Sequence, residues 1–112
     1  MSIVIAENVK FKKWNCDVLL DKYAADSSDA LVLVDHETSE RVAVATSCLA
    51  GMGVIVPAEH AAIKDYSENE GMLNALVDAG IVELTNEMVS SGFVKFPIVR
   101  IVKRVDVDEV AA

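Results

Sequence analysis

One segment of this 112-residue chain carries a helical pattern, whereas the other apolar runs are short and β-prone. The segment begins at Ser67, and a serine followed three residues later by Glu70 is typical of a capping box. Apolar residues then recur at helical spacing, at Met72, Leu73, Leu76 and Val77. Gly80 follows where many helices end in a left-handed residue. The sequence therefore predicts one helix over about 67–79.

Strand-like runs account for most of the other apolar residues. They are predicted at 8–14, 17–23, 30–34, 41–46, 54–56, 81–84 and 93–103. Because strands and helices do not alternate regularly, a parallel nucleotide-binding sheet is not expected. We predict an α+β fold in a single domain, 1–112, with the one helix packed on an antiparallel sheet of about five to seven strands, curved or bulged.

The clearest hairpin joins the runs at 30–34 and 41–46. Pairing of Asp35 with Glu40 leaves four residues, 36–39, as the loop. Loops of this length commonly close through a left-handed residue, usually Gly or Asn. Ser39 occupies that position here, so we expect mild backbone strain at this serine.

Pro97 interrupts the last apolar run. Proline cannot donate to a strand ladder, so this strand is expected to lie at an edge or to be bulged there. Lys95 and Arg100 also differ in parity across the proline, which a bulge would explain. The polar stretch 85–91 is predicted to be a loop, and the acidic tail, about 105–112, to be frayed.

The sequence indicates a cytoplasmic protein. No apolar run approaches the roughly 18 residues of a membrane span. The first residues lack the basic region of a signal peptide and reach Glu7 too early for one. In that compartment Cys16 and Cys48 are expected to be reduced thiols and not a disulfide.

Charge restricts the class of partner. The formal net charge is −8 at pH 7, which opposes binding to a phosphate backbone, so no direct contact with nucleic acid is expected. The same charge permits binding to a basic protein surface, including one that normally holds nucleic acid. Lysines cluster near the start at Lys10, Lys12 and Lys13, whereas the middle of the chain, 26–87, is strongly acidic.

The sequence offers no constellation of catalytic residues. His36 could be a metal ligand, but neither Cys16 nor Cys48 stands at a metal-type spacing from it, so we interpret it as an exposed residue of the hairpin loop. His60 has no partner motif either. No nucleophile elbow and no phosphate-binding loop is present. We predict a protein that is not an enzyme and that uses no metal or cofactor.

The densest polar cluster is 64–70, at the start of the predicted helix. The predicted capping box explains part of it, but Asp65 and Tyr66 have no local role in the sequence pattern. A tyrosine flanked by carboxylates suits contact with a basic protein surface. We predict that Asp65, Tyr66, Glu68 and Glu70 form the partner-binding patch.

The block 63–82, IKDYSENEGMLNALVDAGIV, resembles a set of small proteins carried by bacteriophages and other mobile elements of bacteria, which have no assigned activity. The stretches 31–46 and 90–97 resemble the same set. The resemblance implies no catalytic residues. It does imply a protein of the host cytoplasm that binds and modulates a host protein, for example an inhibitor of a bacterial defence system.

Two other classes of function remain open at this point. A small-molecule binder or small enzyme could build a dispersed pocket, with His36, His60 or the cysteines converging on it. A structural or accessory protein could instead form a homodimer by pairing the 93–103 edge, although Pro97 disfavours long edge pairing. The protein is accordingly expected to be a monomer or a homodimer.

Overall fold

The computed structural model describes residues 3–24 and 27–103. Its strands are β1 Ile3–Phe11, β2 Trp14–Lys22, β3 Asp29–Asp35, β4 Arg41–Val44, β5 Thr46–Ser47, β6 His60–Ile63, β7 Val82–Ser91 and β8 Val94–Ile101. One α-helix, α1, spans Met72–Asp78, and 3₁₀ turns span Ala50–Met52 and Ser67–Asn69. The predicted antiparallel α+β fold is confirmed. Asp26 and the predicted tail, 105–112, lie outside the described residues.

The strands form two antiparallel four-stranded sheets, in the orders β1-β2-β3-β4 and β5-β6-β8-β7. Ala45 joins them, because its N–H donates to Leu31 O while its own carbonyl accepts from Lys64 N, each at 2.8 Å. At the far side, α1 contacts both β1 and β7, the outer strands of the two sheets. No helix among the described residues is long and apolar enough to cross a membrane.

The main core lies between the two sheets and α1. Strand alternation supplies its side chains, as in β2, where Cys16, Val18 and Leu20 face inward. The helix contributes Met72 and Leu76. Burial of this aliphatic surface from three layers is the main stabilising contribution to the fold.

A second core lies on the opposite face of the second sheet. It contains Leu49, Ala62, Phe96 and Ile98. Segment 49–56 covers it, with Val54 and Val56 packed against the buried residues. The prediction of a strand at 54–56 is therefore wrong, because this segment is held by side-chain packing on the sheet and forms no ladder.

The second core explains the change of parity in β8. Phe96 and Ile98 face the second core, whereas Val99 and Ile101 face the main core. The strand thus passes from one core to the other without an extra residue of its own, and the predicted bulge at Pro97 is wrong, because the shift in pairing opposite Ile98 and Val99 comes from β7. β6 pairs with β8 only from Ile98 onward, so the proline lies where that side of the strand has a local edge.

The bulge of this hairpin lies in the partner strand. Two extra residues, Thr85 and Asn86, interrupt the pairing of β7 with β8, and Asn86 has a φ of 67°. The prediction of a loop at 85–91 is wrong, because these polar residues belong to the outer strand, where one side meets water. It is β7, and not the 93–103 segment, that forms the outer edge of the sheet.

The turn of the β3–β4 hairpin matches its prediction, but the predicted strand 41–46 is divided, because β4 ends at Val44 and Thr46 begins β5 in the second sheet. Asp35 N donates to Glu40 O at 2.8 Å, and Ser39 has a φ of 64°, in the left-handed region. The carboxylate Oδ1 of Asp35 accepts from the amides of Glu37 and Thr38 within the turn. These amides, that of Thr38 most strongly, lower the pKa of Asp35 from its ordinary value of 3.8.

The helix is shorter than predicted and starts differently. A 3₁₀ turn, Ser67–Asn69, precedes it, and Gly71 at a φ of 95° separates the two, so α1 starts only at Met72. No side-chain hydrogen bond caps the 3₁₀ turn, and Ser67 itself has a φ of 53°, so the predicted capping box is wrong. Gly80 lies just past the end of the helix at a φ of 73°, as predicted.

Candidate protein-binding loop

The predicted contact residues lie in one loop between β6 and α1, residues 65–70, which we call the acidic loop. Asp65 stabilises the start of α1, because its Oδ1 accepts hydrogen bonds from Gly71 N at 3.1 Å and from Leu73 N at 3.0 Å. A carboxylate on the first amides of a helix satisfies donors that have no partner within the helix. Asp65 is half-buried and positions the loop, so it is a poor candidate for a contact residue.

Two further bonds fix the middle of the acidic loop. Asn69 is 7% exposed, and its Nδ2 donates to Val44 O at 2.8 Å. Lys12 Nζ, from the β1–β2 turn, donates to Glu68 O at 2.6 Å. Sequence reasoning missed both positioning residues. Their contacts join distant parts of the chain, and the only local signal was an asparagine within a predicted helix start.

The loop backbone adopts uncommon conformations at both ends. Ser67 has a φ of 53°, a left-handed conformation that a non-glycine residue adopts at a cost. Gly71, with a φ of 95°, takes a conformation in which glycine is favoured. Such conformations persist only where surrounding contacts determine them, and they cluster at functional sites.

Tyr66 occupies the exposed rim of the loop. Its side chain is 39% exposed, and its ring meets that of Phe96 edge-on, with centroids 6.0 Å apart and an interplanar angle of 73°. Phe96 belongs to the second core, so the tyrosine ring packs against a fixed neighbour. Glu68 and Glu70 beside it are exposed. Three of the four predicted contact residues therefore face solvent on a fixed backbone.

A groove of about 600 Å³ lies elsewhere on the molecule. Its lining includes Lys22, Asp29 and the whole loop 53–59, and Lys22 Nζ lies 2.7 Å from the buried carboxylate of Asp29. Neither histidine and neither cysteine lines it within the described part of the chain. The groove therefore does not bring together the histidines and cysteines on which the alternative of a dispersed pocket depended.

The histidines and cysteines lie in separate environments. His60 starts β6, and its Nδ1 lies 2.8 Å from Ala58 O. Cys16 is buried in the main core, where desolvation, then the charges of Asp35 and Asp17, raise the pKa of its thiol. Cys48 is half-buried, and both thiols are free of a disulfide.

His36 lies in the hairpin turn, as predicted, but it is half-buried and has a side-chain partner. Its side chain is 35% exposed, and its Nδ1 lies 2.6 Å from Asp17 Oδ1 on the neighbouring strand. The hydrogen bond to Asp17, followed by the charge of that carboxylate, raises the pKa of His36. The contact joins residues far apart in sequence, so no local pattern could have indicated it.

Comparisons with protein-family models, with curated proteins and with solved structures found no match for this chain. The geometry of the acidic loop therefore supplies the main support for a function.

Proposed function

We propose that this is a small non-enzymatic binding protein that engages a basic surface of a partner protein through the acidic loop. The observation that carries the proposal is the contrast within the loop. Its backbone is pinned by Asp65, Asn69 and Lys12, whereas Tyr66 and the two neighbouring glutamates are left exposed.

The fixed backbone of the acidic loop favours binding because the loop is preorganised. A loop that is already ordered loses little conformational entropy on association. A tyrosine that packs against a fixed neighbour can supply contact area at low entropic cost, and tyrosines are enriched among residues that dominate binding energy. Glu68 and Glu70 would steer a basic partner and set its orientation.

The expected partner is a host protein. The net charge of −8 repels polyanions and attracts basic protein surfaces, such as those that hold nucleic acid. The sequence resemblance to phage and mobile-element proteins supports a role in modulating a host protein, with inhibition of a bacterial defence system as the leading form of that role. Action in the host cytoplasm belongs to the same proposal.

Comparative affinity capture from bacterial lysate tests the proposal. Tagged wild-type protein is compared with Tyr66→Ala and with the double variant Glu68→Gln/Glu70→Gln. The matched control removes the same charge at the β3–β4 turn, in Glu37→Gln/Glu40→Gln. We expect a salt-sensitive partner that the loop variants lose and the control retains, identified by mass spectrometry.

Two outcomes would contradict the proposal. One is that no specific partner is retained at moderate salt. The other is that the loop variants and the control retain the partner equally well, which would place the binding surface elsewhere. Circular dichroism of each variant ensures that a loss of capture reflects the surface and not the fold.

A further inference from the structure

Three potential metal ligands converge on the outer face of the first sheet, away from the acidic loop. Glu7 lies in β1, Asp17 in β2 and His36 directly after β3. Their potential ligand atoms all lie within 4.8 Å of one another. Asp17 and His36 are partly sheltered, with side chains 17% and 35% exposed. The group combines two carboxylates with one imidazole.

A β-bulge brings Glu7 to this group. β1 pairs with β2 at Ala6↔Val18 and at Val9↔Cys16, so Glu7 and Asn8 together oppose the single residue Asp17. Asn8 takes a left-handed φ of 58° to accommodate the extra residue. Bulges commonly redirect a side chain next to a functional site.

No lysine or arginine of the described residues offsets the negative charge of the two carboxylates. Within residues 3–24 and 27–103, no lysine or arginine forms an ion pair with Glu7 or Asp17. Asp35 and Glu37 flank His36 in the chain and add to the negative potential. A cation would relieve this repulsion, because opposite charges at short range stabilise each other even near a protein surface.

An unsatisfied acceptor stands next to the group. Asn15 Oδ1 is buried and has no hydrogen-bond partner among the described residues. Asn15 shares the outer face of β2 with Asp17, and its Nδ2 donates to Asn8 Oδ1 at 2.8 Å, beside Glu7. A buried polar atom without a partner commonly indicates a water molecule or an ion.

We propose that Glu7, Asp17 and His36 bind one divalent transition-metal ion of the Zn²⁺ or Mn²⁺ class. Two carboxylates and a neutral imidazole supply a charge that matches a divalent cation, and this mixed oxygen and nitrogen set suits those ions better than Ca²⁺ or Mg²⁺. Water completes the coordination, and one such water donates to Asn15 Oδ1. The site is independent of the acidic loop and goes beyond the proposed function.

Binding requires a small rearrangement. His36 Nδ1 and Asp17 Oδ1 are 2.6 Å apart, the distance of a hydrogen bond, which needs a proton between the two atoms. Two ligands at about 2.1 Å from one ion lie roughly 3 Å apart, so the ion displaces this proton and the side chains separate slightly. Rotation of partly exposed side chains is sufficient for this change.

Calorimetric titration of metal-free protein with Zn²⁺, and separately with Mn²⁺, tests the proposal. We expect one ion per chain, and at least tenfold weaker binding in Asp17→Asn, His36→Gln and Glu7→Gln. His60→Gln and Cys48→Ser are the matched controls and should bind as wild type does. Mn²⁺ should also broaden the ring resonances of His36 in NMR spectra, but not those of His60.

The site is rejected if neither ion binds, or if the three ligand variants bind as tightly as wild type. It is also rejected if a control variant abolishes binding, which would place the ion elsewhere, or if Ca²⁺ binds more tightly than Zn²⁺. Glu7 is exposed, so Glu7→Gln should retain the wild-type fold and gives a result even if Asp17→Asn does not fold. Capture of a partner by the acidic loop is unaffected by any of these outcomes.

Discussion

The β3–β4 and β7–β8 hairpins follow their sequence patterns to different degrees. In β3–β4 the predicted turn and left-handed serine are present, and the departures are limited to an extra residue, Val42, in the pairing and an early end of β4 at Val44. In β7–β8 the predicted loop is a strand, and the predicted bulge lies in the other strand. The difference arises because β3 contributes buried residues to the main core alone, whereas β8 contributes to both cores.

Alternation along a strand indicates burial correctly only while the same side of the sheet stays covered. When the buried face of the sheet changes along one strand, the apolar residues move from odd to even positions, or the reverse, although the strand continues. Phe96, Ile98, Val99 and Ile101 show this change within eight residues of regular strand. A shift of parity in a sequence can therefore indicate a second core as well as a bulge.

The largest effect should come from the hairpin that serves the main core alone. Leu33→Ala removes a fully buried side chain of β3 and should lower the free energy of unfolding by about 4 kcal/mol. Leu19→Ala makes the same truncation on the half-buried outer face of β2 and should cost less than half as much. Urea denaturation measures both. Equal losses would show that the faces of the first sheet are not distinguished as described.

Phe96→Ala tests whether the second core stabilises the β7–β8 hairpin. We expect a loss of about 3 kcal/mol, the low end for this truncation, because the covering segment 49–56 can partly close the cavity. Phe93→Ala, at the exposed turn of the same hairpin, should change stability by less than about 0.5 kcal/mol. A negligible effect of Phe96→Ala would mean that the second core adds little to stability.

The start of α1 provides a third comparison, between local and tertiary capping. Asp65→Ala should cost about 1 kcal/mol, because two amides at the start of the helix lose their acceptor. Ser67→Ala and Glu70→Ala should each change stability by less than about 0.5 kcal/mol. Thermal denaturation distinguishes the two possibilities. A larger loss of stability for Ser67→Ala than for Asp65→Ala would show that Ser67, and not Asp65, caps the helix.

Ser39→Gly should slightly stabilise the hairpin that follows local rules. Glycine adopts a φ near 64° without steric cost, although its greater freedom in the unfolded chain offsets part of the gain. We expect an increase of about 0.5 kcal/mol in unfolding free energy, observed as a higher melting temperature. A clear decrease would argue against the left-handed conformation at this position.

The β3–β4 turn should also make a small, pH-dependent contribution to the free energy of unfolding. The folded pKa of Asp35 is lowered, so its bonds to the turn amides stabilise the fold above the unfolded pKa, and this stability is lost as pH falls through the folded value. NMR titration should place the carboxyl pKa below 3.8. The stability advantage of wild type over Asp35→Asn should shrink on acidification. A pKa at or above 3.8 would contradict the turn geometry.

The candidate functional residues divide in a similar way between local and tertiary information. Tyr66, Glu68 and Glu70 could be proposed from sequence, because a dense polar cluster next to a helix start is a local feature. The anchoring by Asn69 and Lys12 could not, since both contacts connect segments far apart in the chain. The same holds for Asp17, which meets His36 only because β2 and β3 are neighbours.

The sequence by itself determined the fold class, the β3–β4 turn and the end of the helix, because alternation, turn chemistry and a glycine stop signal act over a few residues. Only the tertiary structure decided that there are two cores, that Asp65 caps the helix, and that a bulge brings Glu7 to Asp17 and His36. These features depend on which surfaces of the sheet are covered and which strands are adjacent. Both are set by packing between distant segments.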